Sequence, residues 1–512
     1  MAVLLPLFPL LHVGMTCDDF SYAAAPHPWW SRAGGVTRPL SSYLLVQWLS
    51  AFGGHPLALA VPRIVHHLCN AWLVSRVGKR SFGLVPWAAQ LAGVGFAVWG
   101  SHGELGFYSS LHDVLATSCV LLGLLVASGA GAWSVWGVGA AAAAAYLCKE
   151  SAWPLPLWVL LMVPWRHGGA TVIRRFVRGA VVCGVVLAAV MAARVAMVDT
   201  VRGELEPSIY GDLNVSLLLR SCCKLLLRCV VPGAVDLRQL AQGAKDHFVY
   251  LSLAGAAAVL WIGRIASRRR RRPDELSVRL GVCFAASLAP VCMLSVSVDS
   301  AENSRYLYLP TVFVVLALAH WVQRTRALAP WQIPSIAVVG TVLVLQGAGL
   351  WIASSRYETA STRTQAYRRA LIALADRYPE NLRLAVACVP DNYRGALAAR
   401  NVSETLGGMM KPPRQVIVLG SQDEDGTLVP SCKATVEADV LTLTSADGKA
   451  RLVPPASPIG ATAGSSSLFS WKAENLTRQR RSTRLQVTLP PAALFPCIVS
   501  VYDGHSMRVV RR

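Results

Sequence analysis

The chain has 512 residues, 54% of them hydrophobic and 15% charged, with a formal net charge of +21. Soluble globular domains carry about 25% charged residues, so a chain this long and this apolar is not an ordinary soluble enzyme. Its basic residues sit between apolar runs rather than along one amphipathic face, which argues against nucleic acid as the partner and for a membrane.

The charge deficit lies in residues 1–355. A membrane-spanning helix needs roughly 20 mostly apolar residues, and lipid offers the backbone polar groups of an isolated segment no other partner. Short loops rich in Arg and Lys mark the cytoplasmic side. Three basic clusters thread the chain: Arg76, Lys79 and Arg80; Arg174, Arg175 and Arg178; and the unbroken arginine run at 268–272, flanked by Arg264 and Arg279.

In chain order, residues 1–16 run outward as a short first helix, with no small-residue cleavage site after it. Residues 17–56 form a long outer loop. Residues 56–75 return to the first basic cluster, 84–99 lead out, 111–127 in, 134–147 out, and 153–165 back to the basic stretch 166–178. Residues 181–197 lead out to a second long loop, 198–246. Residues 248–263 come in to the arginine run, 280–298 go out, 308–322 return to Arg324 and Arg326, and 336–353 go out again. That is about eleven crossings, and it leaves the C-terminal part outside. Segments 40–52 and 217–231, within the two long loops, are amphipathic at helical spacing and predict helices lying on the outer membrane face.

After residue 353 the pattern changes. Residues 359–378 predict an amphipathic helix. Short runs at 382–389, 415–419, 439–444, 484–489 and 498–502 predict strands, with 454–467 a loop. A region of about 150 residues can hold its own core. The expected architecture is therefore an all-α polytopic membrane domain, residues 1–355, followed by an extracytoplasmic α+β domain, residues 356–512. The thirteen cysteines show no CxxC pair or metal-ligand spacing. Cys69, Cys119, Cys183 and Cys283 lie in apolar runs and read as small core residues. Two of Cys388, Cys432 and Cys497 could form a disulfide, and the spacing does not say which.

Charged groups in or against spanning helices default to functional candidates. On the outer side this threading collects Asp18 and Asp19, Arg38, His102 and Glu104, Asp113, Lys149 and Glu150, Arg194, and Glu302 with Arg305. Paired carboxylates can deprotonate an acceptor hydroxyl or hold a divalent metal; no metal is assigned. Arg and Lys suit a phosphate. His66 and His67 fall mid-span and read as satisfied by neighbouring helices. A transporter would place its charges at mid-membrane between repeated halves, whereas here they gather at one face and the halves are unalike. A non-catalytic scaffold whose C-terminal domain binds a glycan or a partner is the alternative reading.

Several of these residues stand in runs that resemble the polytopic glycosyltransferases of the GT-C superfamily, and within it the protein O-mannosyltransferase group, including the transmembrane and tetratricopeptide-repeat-containing members and their bacterial relatives. The runs are Asp18-Asp19-Phe20, Arg38-Pro39-Leu40, Ser101-His102-Gly103-Glu104, Asp113-Val114-Leu115-Ala116, Cys148-Lys149-Glu150-Ser151 and the stretch Glu302 to Pro310, which includes Arg305-Tyr306-Leu307. The resemblance implies a polyprenyl- or dolichyl-phosphate sugar as donor and a protein, glycan or lipid hydroxyl as acceptor. It implies inverting transfer on the extracytoplasmic face of a bacterial plasma membrane or in the endoplasmic reticulum lumen. By that likeness Asp18 or Asp19 is the base and Glu104 and Asp113 are a second acidic pair. Lys149, Arg194 and Arg305 hold the lipid phosphate, with Arg38, His102, Glu150 and Tyr306 lining the site. The chain departs from the pattern at Leu111-His112, where the group has Gly-Arg, at Asn303-Ser304, which interrupts a Glu-Arg pair, and in having no tetratricopeptide repeats.

Overall fold

The computed structural model describes residues 4–16, 19, 38–52, 55–129, 134–162, 169–201, 215–230, 274–292, 306–326, 332–379, 382–393, 396–399, 415–424, 432–437, 439–445, 452–453, 463–465, 469–474, 482–489, 497–502 and 506–511. The expected crossing at 248–263 lies outside these residues.

The helices are α1 (Pro39–Phe52), α2 (Pro56–Ser81), α3 (Pro86–Ala97), α4 (Leu111–Ser128), α5 (Ser134–Cys148), α6 (Leu155–Leu161), α7 (Ala170–Val201), α8 (Val215–Val230), α9 (Glu275–Cys292), α10 (Tyr308–Arg326) and α11 (Gln332–Ala375). The start of α2 follows from proline in its first turn, where a missing N–H is harmless. Its end follows from Gly83, whose φ of 67° suits a residue without Cβ. Lys79 and Arg80 in the last turn oppose the helix dipole favourably.

Among the described residues, five helices are long and apolar enough to cross a membrane: Pro56–Ser81, Tyr108–Ser128, Ala170–Ala196, Glu275–Cys292 and Ile333–Ala375. With Trp72, Val181, Val185, Ile333, Val344 and Leu345 turned to the surroundings, they mark an integral membrane protein. An apolar exterior of this extent has lipid as its natural solvent.

The first expected crossing differs. Leu5–His12 is a 3₁₀ helix of eight residues containing Pro6 and Pro9. At about 2.0 Å per residue it is roughly 16 Å long, about half the hydrocarbon thickness. Proline removes the donors that would continue an α-helix, and Leu7 and Leu10 are instead buried in the bundle core. The segments expected at 84–99 and 153–165 contain the shorter helices α3 and α6, of twelve and seven residues.

The segments expected as two helices, 336–353 and 359–378, are one. Helix α11 runs unbroken for 44 residues, because the joining stretch Ser354-Ser355-Arg356-Tyr357-Glu358 is polar but contains neither glycine nor proline. At 1.5 Å per residue α11 is roughly 66 Å long, more than twice the hydrocarbon thickness. It therefore carries the chain well out of the bundle. The turn Gly100–Gly106 lies flush on it: a Cβ at Gly103 would overlap the Ala353 side chain, and one at Gly106 the Tyr357 ring.

The far end of α11 is the first layer of a three-layer domain. The second layer is a mixed sheet in the order β11 (Met507–Arg511), β10 (Cys497–Tyr502), β1 (Arg383–Tyr393), β3 (Val416–Glu424), β6 (Leu452–Val453), with β2 (Ala396–Leu397) on β1. Strands β10, β1 and β3 are parallel. The third layer is an antiparallel sheet, β4 (Cys432–Glu437), β5 (Val440–Ser445), β9 (Arg484–Thr488), β8 (Ser470–Glu474), β7 (Ala463–Ser465). Alternation along β1 builds both interfaces. Leu384 and Val386 pack on Tyr367, Leu371 and Leu374 of α11, while Ala385 and Ala387 meet Leu441, Leu443, Leu485 and Val487 of the third layer. The Cys388–Cys432 disulfide joins β1 to β4. The core between α11 and the mixed sheet continues into Met15, Leu45, Leu49, Leu59, Tyr108 and Leu111. The strand domain thus sits over the end of the bundle where α1, α2 and α4 begin.

Candidate functional site

That end of the bundle is where the structure gathers Asp19, Arg38, Asp113, Lys149, Glu150 and Arg194, six of the acids and cations singled out in the sequence. Asp19 is fully buried. One carboxylate oxygen accepts the Thr16 N–H at 3.0 Å. The other accepts the Ser109 N–H at 3.0 Å and the Ser109 hydroxyl at 3.2 Å. Ser109 lies one helical turn before Asp113, in the 3₁₀ segment that leads into α4. The neighbouring Tyr108 hydroxyl donates to the Val13 carbonyl at 2.6 Å. Val13 and Asp19 are thereby pinned to the start of α4.

Asp113, in the first turn of α4, forms an ion pair with Lys149, both side chains being about 95% inaccessible to water. Lys149 stands in extended conformation between α5 and the following 3₁₀ turn, and its ammonium lies 5.1 Å from the centroid of the Tyr306 ring. Glu150, the next residue, is held by two arginines from distant segments. Arg38, just before α1, donates from Nε at 3.1 Å and lies 3.0 Å away through Nη2. Arg194 of α7 is 3.6 Å away and also donates to the Tyr146 carbonyl at 2.5 Å. Ser41 of α1 closes the group. Its hydroxyl donates to the Cys148 carbonyl at 2.9 Å, so the His112 Nδ1–H donates to Ser41 Oγ at 2.6 Å.

Six of the expected site residues, Arg38, Asp113, Lys149, Glu150, Arg194 and Tyr306, are therefore one contiguous group, and Asp19 is tied to it through Ser109 and α4. His102 is placed elsewhere. Its ring lies among His67, Phe96 and Tyr308, with centroids 4.6 to 5.1 Å away. Asp18, Glu302 and Arg305 lie outside the described residues, as does the side chain of Glu104. His66 and His67 are satisfied as read: His66 Nε2 contacts Ser118 Oγ at 2.6 Å, and His67 bonds the Tyr308 hydroxyl at 2.8 Å and the Ala97 carbonyl at 3.1 Å. Among the described residues, no three His, Cys, Asp or Glu side chains are gathered to hold a metal ion.

The sequence reading missed Arg63, Ser109 and Ser41. Arg63 carried a usable signal, being a lone cation between Ala58-Leu59-Ala60-Val61 and Ile64-Val65, a position where a charge is expensive. The two serines carried none.

The electrostatics of Glu150 are legible. Burial is the largest single influence and opposes ionisation; the charge and hydrogen bonds of Arg38, aided by Arg194, together outweigh it and hold the carboxyl below its ordinary value of 4.5. A carboxyl whose folded value is depressed adds stability above the unfolded value and loses it as pH falls through the folded one. Thermal unfolding temperature should therefore decline as pH drops below 4.5, and Glu150→Gln should be less stable at neutral pH but flatter across that acidic window. An unchanged acid profile in the variant would show that Glu150 contributes nothing to it.

No family model matches the chain, and no curated protein does either. Solved structures do. ArnT from Cupriavidus metallidurans in the apo state is 13% identical, with a TM-score of 0.44 over 82% of this chain and 91% of that one. The same protein bound to undecaprenyl phosphate gives 12% and 0.44 over 85% and 95%. The archaeal oligosaccharyltransferase AglB from Archaeoglobus fulgidus, in complex with an inhibitory peptide and a dolichol-phosphate, gives 12% and 0.39 over 81% and 63%. At these identities and TM-scores the likeness assigns neither a family nor an activity to this chain.

Proposed function

We propose that the protein is a membrane glycosyltransferase that moves a sugar from a polyprenyl- or dolichyl-phosphate carrier to an acceptor hydroxyl, with inversion, on the side of the membrane where the strand domain sits. The observation that carries this reading is the convergence of Arg38, Asp113, Lys149, Glu150 and Arg194 from separated segments onto one end of the bundle, with Asp19 tied to the same α4 start. Cations for a phosphate beside carboxylates for a hydroxyl proton are the groups such a transfer uses.

In the reaction the acceptor hydroxyl oxygen attacks the anomeric carbon on the face opposite the phosphate. Its proton passes to a carboxylate of the first loop. The bond between the anomeric carbon and the phosphate oxygen breaks, and the lipid phosphate leaves with the electron pair. Lys149 and Arg194, with Arg305, would neutralise that charge. Of the two loop acids, Asp19 already accepts three hydrogen bonds, and such bonding stabilises the ionised form and weakens a base. Asp18 is therefore assigned the proton, and Asp19 the anchoring of the loop.

We assign residues 1–355 to the transferase part and 356–512 to an extracytoplasmic domain built on α11. Two observations support the outward placement. The Cys388–Cys432 disulfide is a feature of oxidising compartments. Lys79 and Arg80 lie at the opposite end of α2 from Leu59, which packs against the strand domain's core. The non-catalytic alternative draws on the pairing of Lys149 and Arg194 with carboxylates, since both cations are already neutralised within the protein. Ligand binding separates the two readings. Polyprenyl phosphate is expected to raise the unfolding temperature of the purified protein, as any ligand of the folded state does. Polyprenol should not, and Lys149→Met with Arg194→Met should abolish the effect. Equal stabilisation by the alcohol, or an undiminished effect in the variant, would refute a phosphate site there.

A further inference from the structure

Arg63 lies in the second turn of α2 and is fully buried. Its side chain stacks on Tyr108, with Cζ 4.1 Å from the ring centroid. None of its three guanidinium nitrogens has a hydrogen-bond partner among the described residues. A buried cation without hydrogen bonds must be compensated by nearby negative charge or by π-electron density. The Tyr108 ring supplies the second, and Asp19 is the carboxylate with which Arg63 interacts electrostatically.

We propose that Arg63 is a positioning residue for the first loop: its charge, placed against the Tyr108 ring, holds the Asp19 carboxylate by which that loop is anchored to Ser109. The geometry has three parts. Tyr108 and Ser109 hold the Val13 carbonyl and the Asp19 carboxylate. Arg63 lies against that Tyr108 ring. Asp19 is buried and receives three hydrogen bonds, and the Arg63 charge adds to these, while the carboxylate offsets the burial of the guanidinium in return. The titratable groups that face Asp19 include Arg63 from α2 and Tyr108 from the turn before α4; Thr16 and Ser109 add neutral donors.

This inference rests on the transferase reading, and the test keeps the two apart. Arg63→Met removes the charge at similar length, and Arg63→Lys keeps it. In the reconstituted protein with a polyprenyl-phosphate sugar, Arg63→Met should lower kcat at least about tenfold with the donor KM unchanged. Arg63→Lys should recover most of that loss, and Arg63→Met should add no further loss in an Asp19→Asn background. A kcat left intact by Arg63→Met, equal damage from Met and Lys, or losses that multiply with Asp19→Asn would each overturn the proposal. If the wild-type protein transfers no sugar from any donor, the transferase reading fails while the coupling is still measured by thermal unfolding of the same four proteins. The double variant should then be no less stable than the weaker single one; additive losses would overturn the coupling.

Discussion

Replacing both acids of the first loop, Asp18→Asn with Asp19→Asn, is expected to lower sugar transfer by about 10²- to 10⁴-fold, the usual contribution of a positioned general base. The donor KM should change little, because Lys149 and Arg194 are tied to Asp113 and Glu150 rather than to the loop. Asp18→Asn alone should account for nearly the whole loss, since groups acting in one step are not additive. Asp19→Asn alone should act through position. The Asp19 carboxylate receives donors on both oxygens, the Thr16 N–H on one and the Ser109 N–H and hydroxyl on the other. An asparagine amide would turn its NH₂ toward one of these donors, leaving a buried clash of donors. The partial loss should therefore come with a lower unfolding temperature. Transfer that survives the double substitution would remove the acid mechanism.

The second large effect concerns Lys149. Its ion pair with Asp113 is nearly free of water, and breaking such a pair leaves a buried charge without compensation, at a cost of about 3–5 kcal/mol. Lys149→Met should therefore destabilise the protein strongly, and the thermal unfolding temperature reads that directly. Replacing the pair together, Lys149→Met with Asp113→Leu, removes the stranded carboxylate, and apolar substitutes of similar volume are often neutral in place of a buried pair. Stability should return in the double variant, whereas stabilisation by polyprenyl phosphate should not. Recovery of both would make Lys149 purely structural. Recovery of neither would mean that the pair is not the origin of the loss.

The parts of this architecture that follow from periodicity were legible from residues alone. Amphipathic α1 and α8 and the alternating strands β1, β3, β5, β9 and β10 match their predicted segments closely, because one buried face leaves a period in the sequence. Strands β2, β4, β6, β7, β8 and β11 were not anticipated, and β7 lies within the segment 454–467 expected as a loop. Strand β8, Ser-Trp-Lys-Ala-Glu, buries Trp471 and Ala473 but carries charge on its outer face, and five residues are too few for that alternation to stand out. The union of two predicted segments into α11 was missed because a fall in hydropathy looks like the end of a helix when it is only the end of the membrane. The first crossing failed for the opposite reason: Leu5–His12 is apolar enough, but its prolines set its geometry.

At the candidate site, the threading by basic loops assigns Arg38, Asp113, Lys149, Glu150 and Arg194 to one face, and the five form one group. Charge asymmetry is a long-range signal that survives without contact information. Who pairs with whom was not legible. Lys149 joins Asp113 and Glu150 joins Arg38 and Arg194 because of where α4, α7 and the residues before α1 pack, and no local pattern encodes that. Arg63 was overlooked because it lies inside the span rather than at its outer end.

The most direct measurement is turnover by purified protein reconstituted in lipid with a panel of polyprenyl- and dolichyl-phosphate sugars, following release of the free lipid phosphate. The wild-type protein should release lipid phosphate from at least one donor, and Asp18→Asn with Asp19→Asn should lose that release. Release that is undiminished in that variant, or no release from any donor in the presence of peptide, glycan and lipid acceptors, would contradict the proposed transfer.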